Sequence, residues 1–165
     1  MNGEDVTATG ERNTVLNRSE KVAAGRSSAD IYHVEQQIGF ILRQANQRHV
    51  SLFTSMIGDR LTTTQWAALT KLQELQPTSQ NLLGRETAMD VATIKGVVDR
   101  LVSRGLIHTA SDPKDGRRLV LSLTEEGNAV IERNMEMAIA VSEETLAPLS
   151  SRERTVLTEL LRRIC

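Results

Sequence analysis

Near Gly105 the chain changes its hydrophobic period, and that switch constrains the fold more than any other feature. Upstream, apolar residues recur every three to four positions, the spacing of helices that bury one face. Downstream lie Leu106-Ile-His-Thr-Ala110 and Arg118-Leu-Val-Leu-Ser-Leu123. Both are short and the second alternates apolar with polar, so both read as strands. Between them, residues 112–118 crowd two acids, three bases, a Pro and a Gly into one turn. Asp-Pro and Asp-Gly are turn signals, so the pair reads as a hairpin with a highly charged tip.

The helices around this hairpin can be placed by their stripes and caps. Ile31, Val34, Ile38, Ile41, Ala45, Leu52 and Met56, broadened by Leu42 and Phe53, predict a helix of about 27 residues, roughly 40 Å long. That is more than one small lobe needs, so the helix also suits an interface. Leu61-Thr-Thr-Thr-Gln-Trp66 offers caps for a second helix carrying Ala68, Leu69, Leu72 and Leu75, which Pro77 stops. A short helix with Leu82 and Leu83 follows, then a turn at residues 87–89. Asp90 caps a further helix that buries Ile94, Val97 or Val98, and Leu101. Gly105 closes it. After the hairpin, Thr124 opens a helix to about Leu146, Pro148 breaks it, and Ser150-Ser-Arg-Glu153 is a capping box for a last helix. That helix carries Val156, Leu157, Leu160, Leu161 and Ile164. The order is α-α-α-α-β-β-α-α. Residues 1–29 show no sustained periodicity and read as a mobile arm, with a helical turn at most over residues 15–24.

Composition narrows the function classes. Aromatics are 2% of the chain, so the core must come from Leu, Val, Ile, Ala and Met. Net charge is −1, but residues 78–120 carry seven bases against five acids and residues 121–165 eight acids against five bases. The middle is therefore the more basic part. No run approaches the roughly 18 apolar residues of a membrane span, and the N-terminus has no secretory signal pattern. With a single cysteine, Cys165, these features point to a cytoplasmic protein with no membrane partner. His33, His49 and His108 have no metal spacing, and Glu125-Glu126 and Glu143-Glu144 are adjacent acids that diverge on a helix. The expectation is no enzyme, no metal and no cofactor.

Two short helices joined by a tight turn, followed by a charged hairpin, form a winged helix-turn-helix. The fold class expected is mainly α with a small β-hairpin. The second helix of the pair would enter the major groove of double-stranded DNA, presenting Thr93, Lys95, Gly96 and Arg100. Thr93 can bond a base or phosphate, Lys95 and Arg100 can pair with phosphates, and Gly96 permits close approach. At the wing, Arg117 can reach a minor groove, Asp115 can brace its guanidinium, and Lys114 and Arg118 add phosphate contacts.

At these residues the chain resembles the MarR family of bacterial transcription regulators, over about residues 31–164. The motifs are Leu61…Gln65-Trp66…Leu69…Leu72, Ser79-Gln80…Leu83, and Thr93-Ile94…Val98-Asp99-Arg100-Leu101…Arg104-Gly105-Leu106-Ile107. The wing follows as Asp112-Pro-Lys-Asp115-Gly-Arg117, with Leu123-Thr-Glu-Glu-Gly127 after it. Lys114 departs from the family's usual Arg, keeping charge without the bidentate fork. The resemblance adds Ser79 and Gln80 to the DNA-facing candidates. It implies a homodimer joined by N- and C-terminal helices on a pseudo-palindromic operator, with recognition helices about 34 Å apart. The expected layout is a dimerisation region at residues 30–60 and 124–165 around a DNA-binding domain at residues 61–123.

The resemblance also implies a repressor released by a small effector, an aromatic carboxylate or a phenolic compound. Its candidate contacts are His33, Phe40, Arg43, His49, Trp66 and Thr70. Each has a plainer reading: Trp66 as core, His49 as a hydrogen-bonded interface residue, Arg43 as a solvated charge. Oxidant sensing through a first-helix cysteine does not fit, because the only thiol is the last residue. The alternative function is a winged-helix module for architectural DNA binding or protein contacts, without an effector.

Overall fold

The structure is a computed structural model that describes residues 32–112, 115–116 and 118–165. The expected N-terminal arm, Ile31, Pro113, Lys114 and Arg117 lie outside the described residues. The described residues fall into two units, residues 32–44 and 45–165.

The described part of the first unit is a 3-10 turn at Val34–Gln36 followed by the start of helix α1, Ile38–Met56. The first helix therefore has 19 residues rather than about 27. Gln37 interrupts it: its backbone is extended (ψ 133°), and its carbonyl accepts the amides of Phe40 and Ile41. An apolar stripe says which residues would share a face, not that the backbone is helical at each. Gly39 and β-branched Val34 and Ile38 weaken this end.

The second unit holds the remaining elements: α2 (Thr63–Leu75), α3 (Gln80–Glu86), α4 (Val91–Ser103), β1 (Ile107–Ser111), β2 (Leu119–Leu123), α5 (Glu125–Thr145) and α6 (Ser151–Arg162). Leu69, Leu72, Leu83, Ile94, Val97, Leu101, Ile107, Val130 and Ile131 are fully buried in its core. Each such side chain contributes about 1.5–3 kcal/mol over leaving it exposed. Val97 and Val98 of α4 are both buried, where the pattern left either one as the inward residue. The helix starts follow the expected caps. Thr62 and Gln65 form a capping box on α2, Ser150 and Glu153 another on α6, and Ser79, Asp90 and Thr124 cap α3, α4 and α5.

Gly105, at φ +69°, ends α4 in a left-handed turn. Its N–H donates to the Val102 carbonyl and that of Leu106 to Leu101, the paired bonds of a Schellman motif. Leu106 then becomes a junction. Its carbonyl accepts the Thr124 amide, and the Thr124 hydroxyl donates to the Gly105 carbonyl at 2.6 Å. Gly127 packs so closely on the Leu106 carbonyl that a Cβ there would collide with it. That contact is a physical reason for glycine at this position.

β1 and β2 pair antiparallel from Ile107↔Leu123 to Ser111↔Leu119. Thr78 bridges the other edge of β2, exchanging two backbone bonds with Leu121, and the Gln76 side chain accepts the Leu123 amide. The hairpin is thus joined to the end of α2 as well as to α4. Leu121 and Leu123 are buried, but Leu119, which shares their side of the strand alternation, is 63% exposed. At Leu119 the hairpin has already left the core. The α3–turn–α4 pair with this hairpin is a winged helix-turn-helix.

Candidate nucleic-acid interface

α3 and α4 are joined by a three-residue turn in which Ala88 has φ +53°. Met89 N–H donates to the Gly84 carbonyl and Thr87 N–H to Leu83, which closes α3 before Asp90 starts α4. Gly84 makes this turn possible: a Cβ there would press on the Ile94 side chain and the Met89 carbonyl.

The buried face of α4 fixes what its outer face presents. With Ile94, Val97, Val98 and Leu101 inward, Ala92, Thr93, Lys95, Asp99, Arg100 and Ser103 are exposed. The Asp90 carboxylate accepts both the amide and the hydroxyl of Thr93, each at 2.8 Å. Those bonds, the backbone one first, hold the Asp90 carboxyl below its ordinary value. With its proton committed to Asp90, Thr93 is left with acceptor capacity, which suits a base amino group better than a phosphate. Lys95 pairs with Asp99 one turn on at 2.7 Å, both well exposed. Such a surface pair contributes little to stability. Gly96 has a specific neighbour: the Arg100 guanidinium lies 3.3 Å from where a Cβ would stand. The glycine leaves room for Arg100 to fold back along the helix.

Two clefts of about 490 Å³ each open at the hairpin, the second of them against α4. One is lined by Ser79, Gln80, Asn81, Arg85, Arg118 and Leu119. The other includes Val98, Asp99, Val102, Thr109 and Leu119, and Gln80 borders both. Ser79 accepts the Leu82 amide at 3.3 Å, and this leaves its hydroxyl proton for another acceptor. The first cleft brings Ser79, Gln80 and Arg118 together as a polar surface with two guanidinium groups. Asn81 and Arg85 were missing from the sequence-based candidates. Their spacing of four on α3, with both exposed, is the signal that identifies them.

At the wing, Asp115 pairs with Arg118, Nε to Oδ2 at 3.3 Å. The turn is closed by Asp112 N–H to the Arg118 carbonyl and Arg118 N–H to the Asp115 carbonyl. The brace expected between Asp115 and Arg117, and the contacts expected of Lys114, lie outside the described residues.

The effector candidates fall in both units. His33, exposed, precedes the 3-10 turn in the first unit without a side-chain capping bond, and there Phe40 is half-buried and Arg43 exposed. In the second unit Trp66 is half-buried against the core, and the Thr70 hydroxyl donates back to the Trp66 carbonyl at 3.0 Å. His49 links α1 to α5, with Nδ1 3.0 Å from Thr145 Oγ1. The Thr145 hydroxyl itself donates to the Val141 carbonyl at 2.7 Å. His49 Nδ1 is therefore the donor, and in the neutral ring Nε2 carries the lone pair. Among the described residues no group of three or more His, Cys, Asp or Glu could hold a metal, and no helix is long and apolar enough to cross a membrane.

Comparison with known proteins adds four findings. A model of the MarR family matches residues 61–119. The HTH-type transcriptional repressor NicR of Pseudomonas putida is 38% identical over 134 residues, 81% of this chain and 85% of that protein. A probable transcriptional regulator from Pseudomonas aeruginosa, known by crystal structure, is 54% identical with a TM-score of 0.78, over 81% of this chain and 100% of that one. Bordetella bronchiseptica BpsR, whose DNA binding is regulated by 6-hydroxynicotinic acid, is 35% identical with a TM-score of 0.76, over 81% of this chain and 96% of that one.

Proposed function

The chain belongs to the MarR family of DNA-binding transcription regulators, and on that premise we propose that it is a homodimeric repressor released from a pseudo-palindromic operator by a small aromatic acid. It is a regulator, not an enzyme. The observation that carries the DNA reading is the polar cleft at the α3–hairpin junction. Its Arg85 and Arg118 suit the phosphates flanking a major groove.

Dimerisation is supported by apolar surface left uncovered in the single chain. On α6, Val156 and Leu160 are exposed, and on α5 so are Met135, Met137 and Ile139. Leu149, Val156, Leu157 and Leu160 line a nearly all-apolar cleft of about 330 Å³. A second copy of the same surface is the simplest cover, because a two-fold contact is self-complementary.

Support for an aromatic acid comes from BpsR, whose regulator 6-hydroxynicotinic acid is a hydroxylated pyridine carboxylic acid. The chemistry of His49 is compatible with such a ligand. Its Nε2 can accept from a ligand hydroxyl.

The test is a gel shift on duplexes selected from random-sequence DNA by the protein itself. One dimer per palindromic site is expected, with affinity falling about 10³–10⁵-fold between 50 and 200 mM salt if six to ten phosphates are contacted. Adding 6-hydroxynicotinic acid or a simple hydroxybenzoate should weaken the complex. Equal binding to every sequence would indicate an architectural role, and no binding a protein-contact module.

A further inference from the structure

The corner between α1 and α2 holds two successive non-glycine residues in the left-handed region, Asp59 at φ 58° and Arg60 at φ 49°. Such conformations persist only where the surroundings over-determine them. Here the surroundings converge on Asp59. Arg133 of α5 grips its carboxylate with both Nε and Nη2, each at 2.9 Å, in the paired geometry that makes this contact strong and directional. Asn134 donates to the same carboxylate at 2.7 Å and accepts the Gly58 amide at 3.0 Å. Arg133 is itself held by Glu126 at 2.8 Å, and Asn134, 5% exposed, also donates to the Val130 carbonyl.

The other side of Asp59 faces the DNA-binding helix. Its backbone carbonyl accepts a bond from the Arg104 guanidinium, and Arg104 is the C-cap of α4. One residue thus ties three elements: the corner that carries it, α5 through its carboxylate, and the end of α4 through its carbonyl. A short acidic side chain meets both demands, since it tolerates the left-handed backbone and accepts a bidentate guanidinium.

We propose that Asp59 is a positioning residue for DNA binding, clamping the C-terminal end of the recognition helix to α5 and so fixing the angle at which that helix meets the groove. The inference rests on the reading of α4 as the recognition helix. Leverage gives the clamp its importance. α4 has 13 residues and is about 20 Å long, so a tilt of about 5° at Arg104 moves the other end by about 2 Å. Hydrogen bonds to base edges do not survive such a shift.

The test uses the full chain and a duplex it has selected from random-sequence DNA, with affinity and melting measured for Asp59→Ala, Asp59→Asn and Arg133→Gln. Asp59→Ala should bind the selected duplex about tenfold more weakly at a temperature where it remains folded. Asp59→Asn, which keeps the backbone tolerance and part of the bonding, should lose less. Arg133→Gln should weaken binding in the same direction. The two charge changes are opposite, so simple electrostatics would move Asp59→Ala and Arg133→Gln in opposite directions and would overturn the proposal. Lower melting with unchanged affinity in both variants would reduce the clamp to a structural role and overturn it too. If Asp59→Ala fails to fold, Asp59→Asn carries the test, because loss of its negative charge would tighten binding by electrostatics alone and weaken it if the clamp positions the helix. A parent chain that selects no duplex would remove the DNA-binding reading itself, and the clamp's role with it.

Discussion

α4 and α6 are nearly equal in length, 13 and 12 residues, and each starts from a side-chain cap, yet α4 buries four apolar residues and α6 none. The difference lies in what surrounds them. α4 is covered within its own chain, by α2, α3 and β1. α6 follows the break at Pro148, and its Val156 and Leu160 remain 45% and 51% exposed. An amphipathic pattern states that a face is built for burial, but not which chain will bury it. One helix completes a core; the other, on the proposed function, waits for a second copy.

The contrast can be broken most directly on α6. Leu160→Asp should leave the recognition lobe folded but give a monomer in sedimentation, with operator affinity lower by roughly 10²-fold or more as the linked half-sites are lost. A dimer that still binds normally would mean the interface lies elsewhere. Gly127→Ala attacks the other side of the comparison, where α5 meets the Leu106 carbonyl. Forcing a methyl into that contact should lower stability by about 1–3 kcal/mol in urea unfolding. The dimer should persist wherever the variant is folded.

A smaller effect is expected at Arg85→Ala. Affinity should fall about three- to tenfold on all sequences alike, with the salt dependence shallower by about one phosphate. Loss confined to one base position would instead make Arg85 a reader of sequence. The smallest effect concerns pH. The Arg133 bonds hold the Asp59 carboxyl below its ordinary range, outweighing the partial burial that pushes it up. A depressed carboxyl stabilises the fold above its unfolded value, about 3.9, and that contribution is lost as pH falls through the folded value. The melting difference between the parent and Asp59→Asn should therefore be constant from pH 7 to about 5 and shrink below about pH 4.

Much of the recognition lobe was legible because its signals are local. Caps at Thr62, Asp90 and Thr124, the stop at Gly105 and the alternation in β2 each act within a few residues. The misjudged start of α1 has the same root in reverse, since the stripe reached back to Ile31 while the backbone turned at Gln37. Leu119 fits the strand alternation, but alternation does not say where the hairpin leaves the core. The Asp59 clamp left almost no trace. Asp59 and Arg133 are 74 positions apart, and neither residue looks unusual in its own segment. The one local sign was Asn134, a polar residue continuing the buried row of Val130 and Ile131 on α5. Arg85 was recoverable from its spacing to Asn81, but only once α3 was known to turn that face outward.

The junction at Leu106 has a consequence for how such a protein can diversify. The Schellman turn closes one end of the hairpin, and Thr124 and Gly127 close the other, all around the two peptide groups that flank Leu106. The span between is a loop with pinned ends, and lengthening such a loop costs only logarithmically in entropy. Its tip can therefore change in length and charge while the core beneath keeps its packing. On the proposed function, preference for one operator over another can drift at the tip while folding remains protected at the base.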